Sequence, residues 1–223
     1  MTFWLILIGI VLIGVTAVAI YKYDDSEFSK VTDYSFLDMW TNKKVHAAYK
    51  LMTTLDHVKG EHKVLLDLQV PNRNSSEFID ALLIHESGLF IINVEYKKGW
   101  ISGREQDVEW TQLLHNDKRE FFRNPIHNGQ RSMYALREQL PEISADAYKT
   151  LVLFTDVCSF QKIELHSKQV DVIKTKDLKR WLTNIDTNIL SPTEIQTIYD
   201  TLKGMSKLKK HNQKSVTTQP TTN

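Results

Sequence analysis

The chain has 223 residues, with 28 lysines and arginines against 27 aspartates and glutamates, a net charge of +1 and one cysteine. That balance excludes the strong basic excess of many nucleic-acid binders, so any such contact needs a local patch. A single cysteine excludes an internal disulfide and fits a reducing compartment.

Residues 2–20 carry no charged side chain and are dominated by Leu, Ile, Val, Phe and Trp. A helix rises about 1.5 Å per residue and the hydrocarbon core of a bilayer is about 30 Å thick, so this run can span it. Trp4 stands near one end and Tyr21 and Tyr23 near the other, where amphipathic rings suit the two interfaces. Ala17-Val18-Ala19 offers a small-residue cleavage pattern, the competing reading being a signal peptide. The length of the run and the absence of Lys or Arg before it favour an uncleaved anchor over residues 1–23. Lys22 and Lys30 follow the helix and place the remaining body on the cytoplasmic side of the cell membrane.

Residues 24–35 are polar and read as a juxtamembrane linker. Phe36, Met39, Trp40, Ala47, Leu51 and Leu55 recur at helical spacing, with a break expected near Thr41-Asn42. Residues 64–70 form a strand candidate, and Pro71 to Ser76 a turn. Two apolar runs, 78–84 and 89–96, flank His85-Glu86-Ser87-Gly88 and predict a hairpin. Residues 99–103 and 108–113 suggest two further strands, and 126–140 a helix ended by Pro141. Strands are expected at 150–154 and 170–173, and helices at 176–182 and 192–205. The last begins with Ser191-Pro192-Thr193-Glu194, a serine cap with proline at the first helical position and an acid three residues on. Residues 207–223 are basic and then rich in Thr and Gln, and read as a disordered tail. The order predicts an α/β (α+β) domain over residues 36–206, built on a mixed sheet.

Asp80 interrupts an apolar strand. On the next strand Asn93, Glu95 and Lys97 share one face, because strand residues alternate sides. Two facing acids and a lysine are what a metal-dependent nuclease needs: Asp80 and Glu95 to hold Mg²⁺, and Lys97 to position water or offset charge. The plain alternatives are a strand-bonding aspartate and a solvated Glu95–Lys97 pair. Lys118, Arg119 and Arg123, with Phe121 and Phe122, can touch phosphates, but an ordinary basic loop is the simpler reading. Trp100 and Trp110 are expected to serve packing. Cys158 has no nearby histidine or helix start to activate it.

Gly60-Glu61, Ile79-Asp80, Gly88-Leu89-Phe90-Ile91-Ile92, Lys98-Gly99-Trp100-Ile101-Ser102-Gly103, Trp110 and Asn124-Pro125 together resemble the nuclease-related domain (NERD) family, from about Gly60 to Leu140. The resemblance implies a restriction-endonuclease-like core flanked by helices, preceded here by one transmembrane helix. It also implies Mg²⁺-dependent cleavage of DNA, with Glu61 orienting the site and the acids holding the metal. The family's Glu-x-Lys register falls on Asn93-Val94-Glu95, its helix glutamine on Asn128 and its following histidine on Ser132. Glu95-Tyr96-Lys97 is a displaced Glu-x-Lys on the same face, about 6.6 Å further along the strand. Gln130 lies about 200° around the helix from Asn128. Two functions follow: a membrane-anchored nuclease, or the same fold with a disabled site that binds nucleic acid or protein at the membrane.

Overall fold

The computed structural model describes residues 2–73, 75–115, 117–185 and 188–206; the expected tail lies outside the described residues. The chain forms two compact units, divided between His46 and Ala47.

In the first unit, α1 (Thr2–Asp24) is long and apolar enough to cross a membrane. The expected linker is not featureless. Ser26 caps α2 (Glu27–Val31) by accepting the Ser29 N–H, and Ser35 and Asp38 form a reciprocal capping box at α3 (Phe36–Thr41). Tyr23 is buried edge-on to Phe28 and Phe36, and its hydroxyl donates to the Tyr34 carbonyl at 2.6 Å. Hydroxyl caps and one buried aromatic are enough to order a segment whose composition reads as polar. The break expected near Thr41-Asn42 is present: α4 (Lys43–Leu55) starts after Asn42.

The second unit holds two mixed sheets. The larger has the order β1-β2-β3-β7-β9, from β1 (His62–Asn72), β2 (Ser75–His85), β3 (Gly88–Glu95), β7 (Tyr148–Phe154) and β9 (Val170–Lys174). β1, β2 and β3 are antiparallel neighbours, while β7 lies parallel to β3 and β9 parallel to β7. The smaller has the order β6-β5-β4-β8, from β4 (Gly99–Arg104), β5 (Glu109–Leu113), β6 (Arg119–Arg123) and β8 (Cys158–Glu164). Neither β6 nor β8 was expected as a strand, and the basic loop at 118–123 is largely β6.

Helix α5 (Pro125–Gln139) and helix α7 (Pro192–Leu202) share a core with the larger sheet. Leu82, Ile84, Leu89 and Ile91 meet Ala135, Leu136, Ile195, Ile198 and Leu202 there, all essentially inaccessible to solvent. On the other face Phe90 meets Trp181 of α6 (Leu178–Leu182) edge-on, ring centres 5.2 Å apart. A sheet covered on both sides needs the continuous apolar runs that β2 and β3 carry. Beneath the smaller sheet Trp110 stacks parallel to Phe154, and its indole N–H donates to the Arg104 carbonyl. A Cβ on Gly103 would lie 2.2 Å from the Trp110 ring, so only glycine allows this approach.

The Asn124-Pro125 pair has a clear local task. Asn124 is fully buried; its Oδ1 accepts the Ile126 N–H at the start of α5, and its amide donates to the carbonyls of Arg104, Glu105 and Asp107. It therefore fixes the helix start to the β4–β5 turn, with Pro125 at a position where no N–H is needed.

Candidate active site at the β2–β3 fork

The pairing of β2 with β3 runs from His85–Gly88 to Ala81–Ile92 and stops there. Beyond it side chains take over from the backbone. The Val94 N–H donates to Asp80 Oδ2 at 2.7 Å, and the Asn93 amide donates to the Phe78 carbonyl at 3.3 Å. Asp80 and Asn93 thus clasp a fork between two strands whose ladder has ended.

β1 contributes a third acid. Asp67 lies across from Asp80 in the antiparallel register, but the two form no ladder pair, and Asp67 has φ +48°. Leu65 and Leu68 of β1, and Ile79 and Leu82 of β2, all belong to the α5-side core. Regular alternation puts residues three apart on opposite faces, so both strands change face at the two aspartates. Asp67 was missed in the sequence, although a lone acid inside Val64-Leu65-Leu66-Asp67-Leu68 is the same signal as Asp80.

The electrostatics follow from this crowding. Burial pushes the Asp80 carboxyl above its ordinary pKa; the Val94 N–H pulls it down, and the Asp67 carboxylate adds to the rise. Burial also raises Glu95, with Lys97 opposing and Asp80 reinforcing the shift. Tyr96 is raised by burial and then by Asp80. Solvent still reaches the Asp80 side chain and screens these interactions. Acids perturbed by burial and by one another are a mark of functional sites.

Lys97 is not on the strand as expected, because β3 ends at Glu95; it follows in the β3–β4 connection, still beside Glu95, with its ammonium 4.6 Å from the centre of the Phe122 ring. Glu61 is elsewhere. Its carbonyl accepts the Glu86 N–H and its own N–H donates to the Glu86 carboxylate at the hairpin end, and six strand residues, about 20 Å, separate it from Asp67 and its neighbour Asp80. The structure brings Asp80, Asn93, Glu95 and Lys97 together and leaves Glu61 out.

Of the substituted positions on α5, Ser132 is buried and its hydroxyl donates at 3.5 Å to the same Phe78 carbonyl that Asn93 uses. Asn128 accepts from Arg131 at 2.6 Å, and Gln130 is partly buried. Lys118 pairs with Glu120, while Arg119 and Arg123 are exposed on β6. Cys158 is buried, and burial pushes its thiol up, away from nucleophilic reactivity.

Among the described residues, no three His, Cys, Asp or Glu side chains gather closely enough to hold a metal. The fork offers a different donor set: two carboxylates, Asp80 and Glu95, and the Asn93 amide. Asn93 Oδ1 is buried and has no hydrogen-bond partner. A buried carbonyl oxygen without a donor is costly, and oxygen donors beside acids suit a hard cation. Carboxylate and amide oxygens are the donor types that Mg²⁺ takes, here with an amide where the family pattern has a carboxylate.

The sequence profile of the nuclease-related domain family matches residues 42–155. The chain belongs to the NERD family. The match begins ahead of Gly60 and takes in α4, both aspartates, the fork and α5 through the end of β7. A Bacillus anthracis protein described as uncharacterized is 32% identical over 128 residues, 56% of this chain and 57% of that protein. The chain thus spans little more than half of that relative. No solved structure matches.

Proposed function

We propose that this NERD protein is a membrane-anchored, divalent-cation-dependent nuclease acting on DNA, with its site at the β2–β3 fork. The observation that carries the reading is the buried, unpartnered Asn93 Oδ1 on the strand that also carries Glu95, next to the strand of Asp80. Asp80, Glu95 and the Asn93 oxygen would hold Mg²⁺, which when bound polarises a phosphate and acidifies a water. Asp80 is oriented by the Val94 N–H, which keeps one carboxylate oxygen in place. Lys97, positioned over Phe122, places a positive charge beside Glu95 where phosphate charge must be balanced. Helix α1 would span the cell membrane once, and the lysines after it keep the domain on the cytoplasmic side, where DNA is accessible.

The test uses the full chain in detergent micelles with plasmid and oligonucleotide DNA. Cleavage that requires Mg²⁺ or Mn²⁺ and is lost in Asp80→Asn is expected. Cleavage that persists in Asp80→Asn would place the activity outside the fork. Retention of the protein in membranes through alkaline extraction checks the anchor.

A second reading is favoured by Asn93 and Glu95 standing at the family's Glu and Lys positions. In it the fork is catalytically silent, and the domain binds nucleic acid or protein at the membrane. Absence of cleavage with either cation, together with retained nucleic-acid binding, selects it.

A further inference from the structure

The smaller sheet has one packed face and one open face. Along β6 the packed side carries Glu120 and Phe122, and the open side carries Arg119, Phe121 and Arg123. The register extends this division across the sheet. Arg119 pairs with Leu113, which pairs with Trp100; Phe121 pairs with Thr111, which pairs with Ser102. Residues paired across strands point to the same side, so Trp100, Phe121, Arg119 and Arg123 share the open face. Trp100 is 47% exposed and Phe121 65%. Trp110, a neighbour on the same sheet, is fully buried and accounts for the core. Packing was the expectation for both tryptophans; the structure assigns it to Trp110 alone.

Neither Arg119 nor Arg123 forms an ion pair among the described residues, whereas Arg104 is held by Asp107 and Lys162 by Glu164. An exposed ring flanked on its own strand by two guanidinium groups, one of them cross-strand from Glu109 but not ion-paired with it, is an arrangement for stacking a base while contacting the phosphates on either side. Two strand spacings, about 10 Å, separate Trp100 from β6, which leaves room for one strand of nucleic acid to cross both rings. A duplex hides its base faces and has no use for the rings.

We propose that the open face of the β4–β5–β6 sheet binds single-stranded nucleic acid, stacking bases on Trp100 and Phe121 and holding phosphates with Arg119 and Arg123. The choice of ligand rests on the nuclease reading above, but the face needs neither a cation nor cleavage.

The experiment measures binding of fluorescent oligo-dT, oligo-U and duplex DNA to the full chain in micelles, in EDTA. Single strands are expected to bind more tightly than duplex, with Trp100 fluorescence quenched on binding. Trp100→Ala and Phe121→Ala should each weaken single-strand binding about tenfold. Trp100→Phe should keep the affinity and lose the quench. Arg119→Ala with Arg123→Ala should lower the log–log salt slope by about 1.4. The dT and U arms tell DNA from RNA, and binding of either supports the face. All four side chains are exposed, so far-ultraviolet circular dichroism like that of the unaltered chain is expected to accompany each result. Equal affinity for duplex, or unaltered single-strand binding in the Trp100, Phe121 and arginine variants, overturns the proposal. If these variants bind normally while Asp80→Asn abolishes cleavage, the face fails and the nuclease survives. If they lose binding and no cleavage is found, the nuclease fails and the face survives.

Discussion

The two ends of the β2–β3 hairpin are built on opposite terms. At the turn end, from Ala81 to Ile92, every ladder position is paired, and the side chains there are buried. At the fork end the ladder stops, the strands are joined by Asp80 and Asn93, and Asp80 is repelled by Asp67 of β1 and itself repels Glu95 of β3. One end concentrates apolar burial. The other accepts carboxylates whose charge the fold disfavours and a buried oxygen with no donor. Proteins place such costs where chemistry is done, and the regular end offsets them.

The largest effect should come from the turn end. Leu82→Ala empties a fully buried position between the sheet and α5, and is expected to cost about 2–5 kcal/mol of stability in denaturant unfolding. A cost below about 1 kcal/mol would show that the contrast between the ends is not energetic.

Asn93→Glu sharpens the contrast from the fork side. It adds a fourth carboxylate and removes the donor to Phe78, so the metal-free protein should melt at a lower temperature. Affinity for Mn²⁺ by titration calorimetry should rise about tenfold, a gain of about 1.4 kcal/mol. Unchanged affinity would remove Asn93 from the donor set.

Asp80→Asn should act oppositely on stability. Asparagine still accepts the Val94 N–H but carries no charge, so the metal-free melting temperature should rise while cation binding is lost. The pH dependence follows the same sign. A carboxyl raised by folding binds more protons in the native state, so its cost is absent below the ordinary carboxyl pKa and fully present above the raised one. Metal-free stability should therefore fall as pH rises through the raised pKa values of Asp80 and Glu95, less so in Asp80→Asn. Thermal melts between pH 4 and pH 8 (roughly the span of perturbed carboxyls) measure this. A variant profile identical to that of the parent would mean Asp80 is not the strained group.

The smallest effect is expected from Glu61→Gln. At the turn end, about 20 Å from the fork, it should leave cation affinity within about twofold. A larger loss would connect the two ends in a way their separation does not.

Much of the scaffold was legible in the chain. The capping signature at Ser191–Glu194, the break at Asn42 and the hairpin around Gly88 all depend on residues close in sequence, and all are present. β6 and β8 were not legible. Arg119-Glu120-Phe121-Phe122-Arg123 alternates weakly, because one of its faces is open and the other is buried only when Trp110 and Phe154 arrive beneath it. Strands of that kind take their identity from their neighbours. Helix α2 was hidden for a related reason: of its five residues only Phe28 and Val31 are apolar, Val31 is exposed, and Phe28 packs against Tyr23.

By itself the sequence determined that an apolar helix precedes an α/β domain of the NERD family, and that Asp80 lies on one strand with Asn93 and Glu95 on its neighbour. These are matters of hydropathy, period and local order. Only the tertiary structure decided that Asp67 joins them, that Glu61 does not, that the Asn93 oxygen is buried without a partner, and that Trp110 is core while Trp100 faces water. Each of those depends on where a strand ladder ends or which face of a sheet is covered, and neither is encoded within a few residues of the position it governs.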